Sequence, residues 1–303
     1  MGGWKRFRKN SPYLVMTLPA VIKIFIFSYV PMFGIVIAFQ NFRASKGLFG
    51  SEFVGFKNFE FFFKSVDAGR ILRNTLFLNS LMIVTGLIFS IIISLLLFEI
   101  ASKIRLKIYQ SIMFFPFFFS WVLVGLMMGT FLNSDSGLLT RLIHYLSGIN
   151  INFYTSPEYW PLILVLVDVW KATGYSSLIY YAVLMSIDKD YYEAAEIDGA
   201  SRIQKMFYIT LPFLIPMAIV LTVLAIGNIM RADFGLFYFV PREQGALFAT
   251  TDVIDTYVFR ALRQYGDFAM SSAVSLFQSV VGFVLILVTN ALVGKHNEQH
   301  KLY

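Results

Sequence analysis

The chain has 303 residues, of which 57% are hydrophobic and 14% charged, and a formal net charge of +7; its mean hydropathy is +0.68. Soluble domains lie nearer roughly 45–50% apolar and about 25% charged, and a chain this size cannot hide the excess in a core, so a water-soluble enzyme is excluded. The absence of cysteine removes disulfide frameworks and thiolate chemistry, and a modest basic excess suits a membrane protein with basic flanks without calling for nucleic acid. A helix needs roughly 20 apolar residues to cross the hydrocarbon core. Stretches poor in Asp, Glu, Lys and Arg predict six such spans, at 13–39, 74–98, 108–134, 160–187, 209–231 and 268–294. They are continuous rather than short and alternating, so they read as helices and not barrel strands. The fold class is an all-α polytopic membrane protein with one transmembrane domain over 13–294.

In chain order, 1–12 is a basic segment (Lys5, Arg6, Arg8, Lys9) before the first span. It resembles the start of a signal peptide, but the length of the apolar run predicts a retained helix. Lys23 sits inward of that span's middle and is able to snorkel to the headgroups. Inner segments hold 12 Lys and Arg in 48 positions against 11 in 95 outside, which predicts both termini, including the tail 295–303, in the cytoplasm. The aromatic stretch Phe56–Ser65 is expected in the membrane interface. Pro31, Pro116 and Pro216 each remove a backbone donor and predict bends or unwinding in the first, third and fifth spans.

The fourth span carries Asp168 and Lys171, three apart on one helical face and able to pair, with Tyr175 continuing that face and Trp170 beside it. An ionised group at mid-membrane is a functional candidate. Two readings stand: a wall for sugars, which combine hydroxyls with weakly apolar ring faces, or an ion pair facing another subunit. The sixth span has Ser271, Ser275, Gln278 and Gly282 at helical spacing, a stripe for helix packing or for the solute path. Asp255, Tyr257 and Arg260, in the outer loop before it, are placed to meet an external partner.

The inner loop 188–212 differs from its surroundings. Asp190–Asp198 predicts a short helix, acidic in its first turn, and Gly199 a left-handed stop. Ala200–Tyr208 predicts a second short helix, and Pro212 the first turn of the fifth span. Two short helices at a sharp angle would form a rigid knob. Ala194 and Ala195 permit close approach, Tyr191, Tyr192, Met206 and Phe207 give bulk, and Glu193 and Glu196 are available to cationic groups.

Glu193-Ala194-Ala195, then Gly199, then Ile209-Thr210-Leu211-Pro212 resembles the EAA signature of inner-membrane permeases of binding-protein-dependent ABC importers. Softer likeness runs through Tyr29–Gly34, Phe53–Phe59, Arg73–Thr75, Ser120-Trp121, Trp170-Lys171, Ile254–Tyr257 and Leu276–Ser279. It resembles the complex oligosaccharide and polysaccharide branch of the sugar permeases. That group tends to show Pro-His in the third span, whereas here Phe117 follows Pro116. The resemblance implies a type I importer: a second homologous permease, two ATPase subunits and an extracytoplasmic binding protein of the lipoprotein kind, in a bacterial cell membrane. It implies coupling to the ATPase through Tyr192, Glu193, Ala194, Ala195, Asp198, Gly199, Ile209, Leu211 and Pro212. The substrate-path candidates are Asp168, Trp170, Lys171, Tyr175 and Gln278. No catalytic residue or metal is expected on this chain, and ATP and Mg belong to the partner. The sequence agrees in lacking a G-x-x-x-x-G-K-[ST] loop, and His144, His296 and His300 are scattered. The competing readings are a standalone secondary transporter or channel, and a polytopic membrane enzyme.

Overall fold

The computed structural model describes residues 3–296, so the tail expected at 295–303 falls almost wholly outside the described residues. Five helices are long and apolar enough to cross a membrane, and a sharply bent pair makes a sixth. The chain divides into two compact units, Met1–Ser65 with Val258–Phe277 and Val66–Tyr257 with Gln278–Tyr303.

In the first of these units, α1 (Gly3–Ile24) continues through a π turn at Phe25–Tyr29 into a 3-10 stretch, Val30–Phe39. Pro31 stands in the first turn of that stretch, so the sequence expectation of unwinding holds here. The most apolar window of this span, within Asn10–Phe39, has no buried residue. Beyond it, β1 (Gln40–Asn41) pairs antiparallel with β2 (Glu52–Phe53). Asn58, from α2 (Lys57–Phe63), pins the chain by donating to the carbonyls of Ala38 at 2.8 Å and Gln40 at 3.0 Å. The rings of Phe39, Phe53, Phe56 and Phe59 gather around this tie.

In the other unit, α3 (Ala68–Phe98) packs along α7 (Trp160–Leu184), with Ser90, Ser94 and Ser177 buried. Small residues allow such helices to approach closely. Polar residues in the first turns of α3 fasten the later chain. Asn74 donates to the carbonyls of Ala249 and Asp252, Asn79 to those of Ile229 and Arg231, and Arg70 pairs with the buried Asp252 at 3.3 Å. Trp160 is fully buried and donates its indole N–H to the Phe153 carbonyl at 2.6 Å.

Between them the third span is not the straight 108–134 helix expected. It is α4 (Lys103–Phe114), a 3-10 turn at Phe115–Phe118, and α5 (Trp121–Phe131) after a bend of 94°. Pro116 has no N–H, the Phe119 N–H returns to the Pro116 carbonyl, and Ser120 caps α5 by accepting from Leu123. The break is seated on Gly174 of α7, where any side chain would collide with the carbonyl of Met113. The short helix α6 (Leu138–Ser147) follows.

After α8 (Lys189–Ile197), α9 (Arg202–Lys205) runs through a π turn at Met206–Thr210 into α10 (Leu211–Gly227). The second short helix expected at 200–208 is therefore the beginning of the fifth span, Arg202–Gly227, and Pro212 lies inside this continuous run. A wider turn just before a proline accommodates its missing donor. Pro216, expected to bend the helix, lies inside α10 without interrupting it. The segment before the last span forms α11 (Phe234–Phe239) and α12 (Ile254–Tyr265), and α13 (Phe268–His296) is that span.

Candidate functional site

Local chemistry shapes the loop 188–212 more than packing does. Asp188 caps α8, its carboxylate accepting from the Asp190 N–H at 3.1 Å. The helix ends at Gly199, with φ of +77°. There the Ala200 N–H bonds the Ala195 carbonyl at 2.9 Å and the Gly199 N–H bonds that of Glu196 at 3.0 Å, the paired bonds of a Schellman stop. A Cβ on Gly199 would meet nothing within 4 Å, so glycine is needed for the backbone angle and not for space. Ser201 opens the next helix with a reciprocal capping box to Gln204. Three residues thus close one helix and start another, with the N–H groups of Asp198, Gly199, Ala200 and Ser201 all donating.

Two side-chain ties brace the corner. Lys205 donates to Glu196 at 2.5 Å, and the Tyr192 and Thr210 hydroxyls meet at 3.0 Å. The lysine's hydrogen bond and charge hold the Glu196 carboxyl below the usual carboxylate range. Glu196 is therefore engaged internally rather than free for a partner's cations, and Tyr192, packed near Phe98, is a brace rather than outward bulk. A cavity of about 420 Å³ lies in the crook, with Glu99, Glu193 and Arg202 on its walls. Ala194, Asp198 and Gly199 are exposed, and Ala195 is half-buried. Ile197 (87% exposed) and Ile203 (66%) flank the corner, and Phe207 and Tyr208 (81%) follow, without cover. Composition had not singled out Ile197 and Ile203; their position beside the capped glycine is the signal that finds them. Ile209 packs against a buried cluster that includes Leu184 and Leu214, and Leu211 and Pro212 continue up the span, so the second half of the motif anchors the corner instead of forming it.

The fourth-span residues separate. Asp168 and Lys171 form no ion pair, although each lies in the other's field. Asp168 lines a cavity of about 270 Å³ with Ser90, Ser176 and Thr222. Lys171 points to the break in the third span, donating to the Phe117 carbonyl at 3.0 Å. That carbonyl lies in the turn made by Pro116, so the tertiary bend supplies the partner the sequence assigned to Asp168. Tyr175 stacks on Phe117, with centroids 4.6 Å apart. Trp170 faces away, into an apolar recess with Ile163 and Leu166. Gln278 is buried, donating to the Met230 carbonyl at 2.7 Å and to Asp255 at 3.3 Å; the structure places it in packing and not on an open wall. Asp255 also accepts from the Ala232 N–H at 2.7 Å. Burial raises its pKa, against the pull of these bonds. Gly282 lies against the Gly227 carbonyl, and Ser271 donates to the Val258 carbonyl at 3.4 Å.

Residues 86–297 match the family described as the binding-protein-dependent transport system inner membrane component. The polygalacturonan/rhamnogalacturonan transport system permease protein YteP of Bacillus subtilis (strain 168) is 36% identical over 295 residues, 97% of this chain and 91% of that protein. A solved bacterial ABC transporter involved in the import of the acidic polysaccharide alginate contains a chain 31% identical, with TM-score 0.88, covering 97% of this chain and 99% of that one. The alginate transporter in complex with an alginate pentasaccharide-bound periplasmic protein gives 32% identity and TM-score 0.86 over 96% of both chains. The chain belongs to this family: it is a multi-pass inner-membrane permease of a binding-protein-dependent ABC transporter.

Proposed function

We propose that the chain forms half of the translocation path of an ATP-driven importer of oligosaccharides released from polysaccharides, and that the corner at 188–201 transmits the work of a separate ATPase. The observation that carries this is the corner itself: a doubly capped, braced turn between two spans, flanked by uncovered Ile197 and Ile203. Nucleotide chemistry outside the membrane reaches the spans as displacement of a stiff element packed on both sides. Bare isoleucines on a rigid support are suited to a socket in a partner, and bonds internal to the corner resist its deformation. The chain itself hydrolyses nothing in this reading. ATP and Mg sit on two ATPase subunits, a second permease completes the path, and an external binding protein delivers the sugar; both termini lie in the cytoplasm. The names of the relatives, which transport polygalacturonan, rhamnogalacturonan and alginate, support the cargo class.

The test is purification from the native membrane followed by reconstitution. Co-isolation with an ATPase and a second permease, and uptake of oligosaccharide only with ATP and binding protein, is the expected result. Uptake by the isolated polypeptide would overturn the proposal.

A further inference from the structure

The break in the third span leaves a cation without an anion. The Lys171 ammonium is held by the Phe117 carbonyl and by two ring faces, 4.8 Å from the Trp121 centroid and 5.3 Å from that of Phe117. No carboxylate among the described residues comes within 4.0 Å of it. Neither of its two acidic neighbours contacts it. Asp168 turns into its own cavity. Asp233 accepts the Trp121 indole N–H at 2.9 Å through one oxygen and caps α11 through the other, accepting from Gly235 and Leu236. Carbonyl and ring faces fix an ammonium in place without cancelling its charge. In a membrane-spanning helix, such a residue needs a partner to account for it.

The surroundings have the materials for a sugar. Tyr175 and Phe117 are stacked and partly open to the outside of the chain. Trp121 is fixed by Asp233, so the rings beside the ammonium form a prearranged shelf. The apolar faces of a pyranose ring lie well on such a surface, and a carboxylate at its edge would receive a charge-assisted hydrogen bond. We infer that Lys171, on the shelf made by Phe117, Trp121 and Tyr175, is a carboxylate-binding position of the solute path, and that the cargo is an acidic, uronate-bearing oligosaccharide. This rests on the importer reading above and specifies its substrate class and a residue that selects it. The rival occupant is a carboxylate of the second permease, and the experiment separates the two.

The complete transporter, reconstituted with its binding protein, is assayed for uptake of short oligogalacturonates and of their methyl esters, in wild type, Lys171→Gln and Lys171→Arg. Loss of one charge-assisted bond predicts a half-saturating acid concentration raised ~10-fold or more in Lys171→Gln. Lys171→Arg should restore most of this, and ester uptake should respond little to either change. Unaltered acid uptake by Lys171→Gln overturns the assignment. So does an equal fall for acid and ester accompanied by loss of the co-purifying second permease, which would give the lysine to the subunit interface. A wild-type transporter that moves neither probe refutes the uronate cargo, while the importer reading stands or falls by the reconstitution test above. One that moves the acid equally well in all three forms refutes only the role of Lys171.

Discussion

The chain interrupts its helices sharply in two places, at Gly199 and at Pro116, and the two are built differently. At Gly199 every determinant lies within the stretch 188–205: an Asp cap, a left-handed glycine, a Ser–Gln box and a Lys–Glu tie. At Pro116 the proline only permits the break. Its 94° angle goes with distant parts, the Gly174 backbone that admits Met113 and the Lys171 ammonium that takes the freed Phe117 carbonyl. A corner made of short-range bonds can travel as a unit when pushed. A bend made of long-range packing changes only if its neighbours change. The first suits a transmitting element and the second a wall.

Substitutions can break this comparison, and the largest effect is expected at Gly174. A Leu there must displace the Met113 backbone, at the upper end of the ~1–3 kcal/mol seen for overpacked cores. Fluorescence-detected size exclusion should show loss of the folded transporter. A monodisperse, active Gly174→Leu complex would deny that the bend is held by packing. Gly199→Val is expected next. Its Cβ has room, but the left-handed angle costs about 1–2 kcal/mol or more for a branched residue, so the complex should assemble while binding-protein-stimulated ATPase activity and uptake fall together. Gly199→Asn, which tolerates that angle, should retain more of both. Equal behaviour of Val and Asn would mean the left-handed turn is not what matters.

A smaller effect concerns pH. The half-buried Asp255 has a raised pKa, so the fold gains from its protonation. That contribution is complete below the ordinary carboxylate value of about 4 and is lost as pH rises through the higher folded value. Asp255→Asn, which keeps an acceptor for the Ala232 N–H, should flatten the melting temperature between acid and neutral pH; an unchanged slope would remove Asp255 as its source. The smallest effect belongs to Glu196→Gln. The carboxyl is exposed and its pKa is lowered by Lys205. The tie is therefore fully formed at neutral pH and lost only as pH falls through that lowered value. Surface pairs of this kind contribute little and are screened by salt. Thermal unfolding of the variant should match wild type in high salt, and a large difference there would show that the corner depends on this one contact.

Much of this was legible in advance. Charge-poor runs located all six spans because lipid admits few ionised groups, and the corner could be read because caps and left-handed glycines act over a few residues. Two helices begin before their charge-poor runs, at Ala68 rather than 74 and at Arg202 rather than 209. Arg70, Arg73, Arg202 and Lys205 lie on the same helices as the apolar runs, where spans extend past the hydrocarbon. The partners of Asn74, Asn79 and Lys171 were hidden for another reason. Each bonds a backbone carbonyl far along the chain, and carbonyls leave no mark on residue type. The Asp168–Lys171 pairing failed because helical spacing shows which side chains can meet, not which competing acceptor a bend brings nearer.

The opening helix teaches something else. No residue of its most apolar window is buried among the described residues, so that window keeps an apolar surface to offer. Lipid or a sister subunit can supply the other half of such a contact. Cutting it away should leave the remaining spans folded while the complex comes apart, making that rod a handle for assembly and not a pillar of the fold.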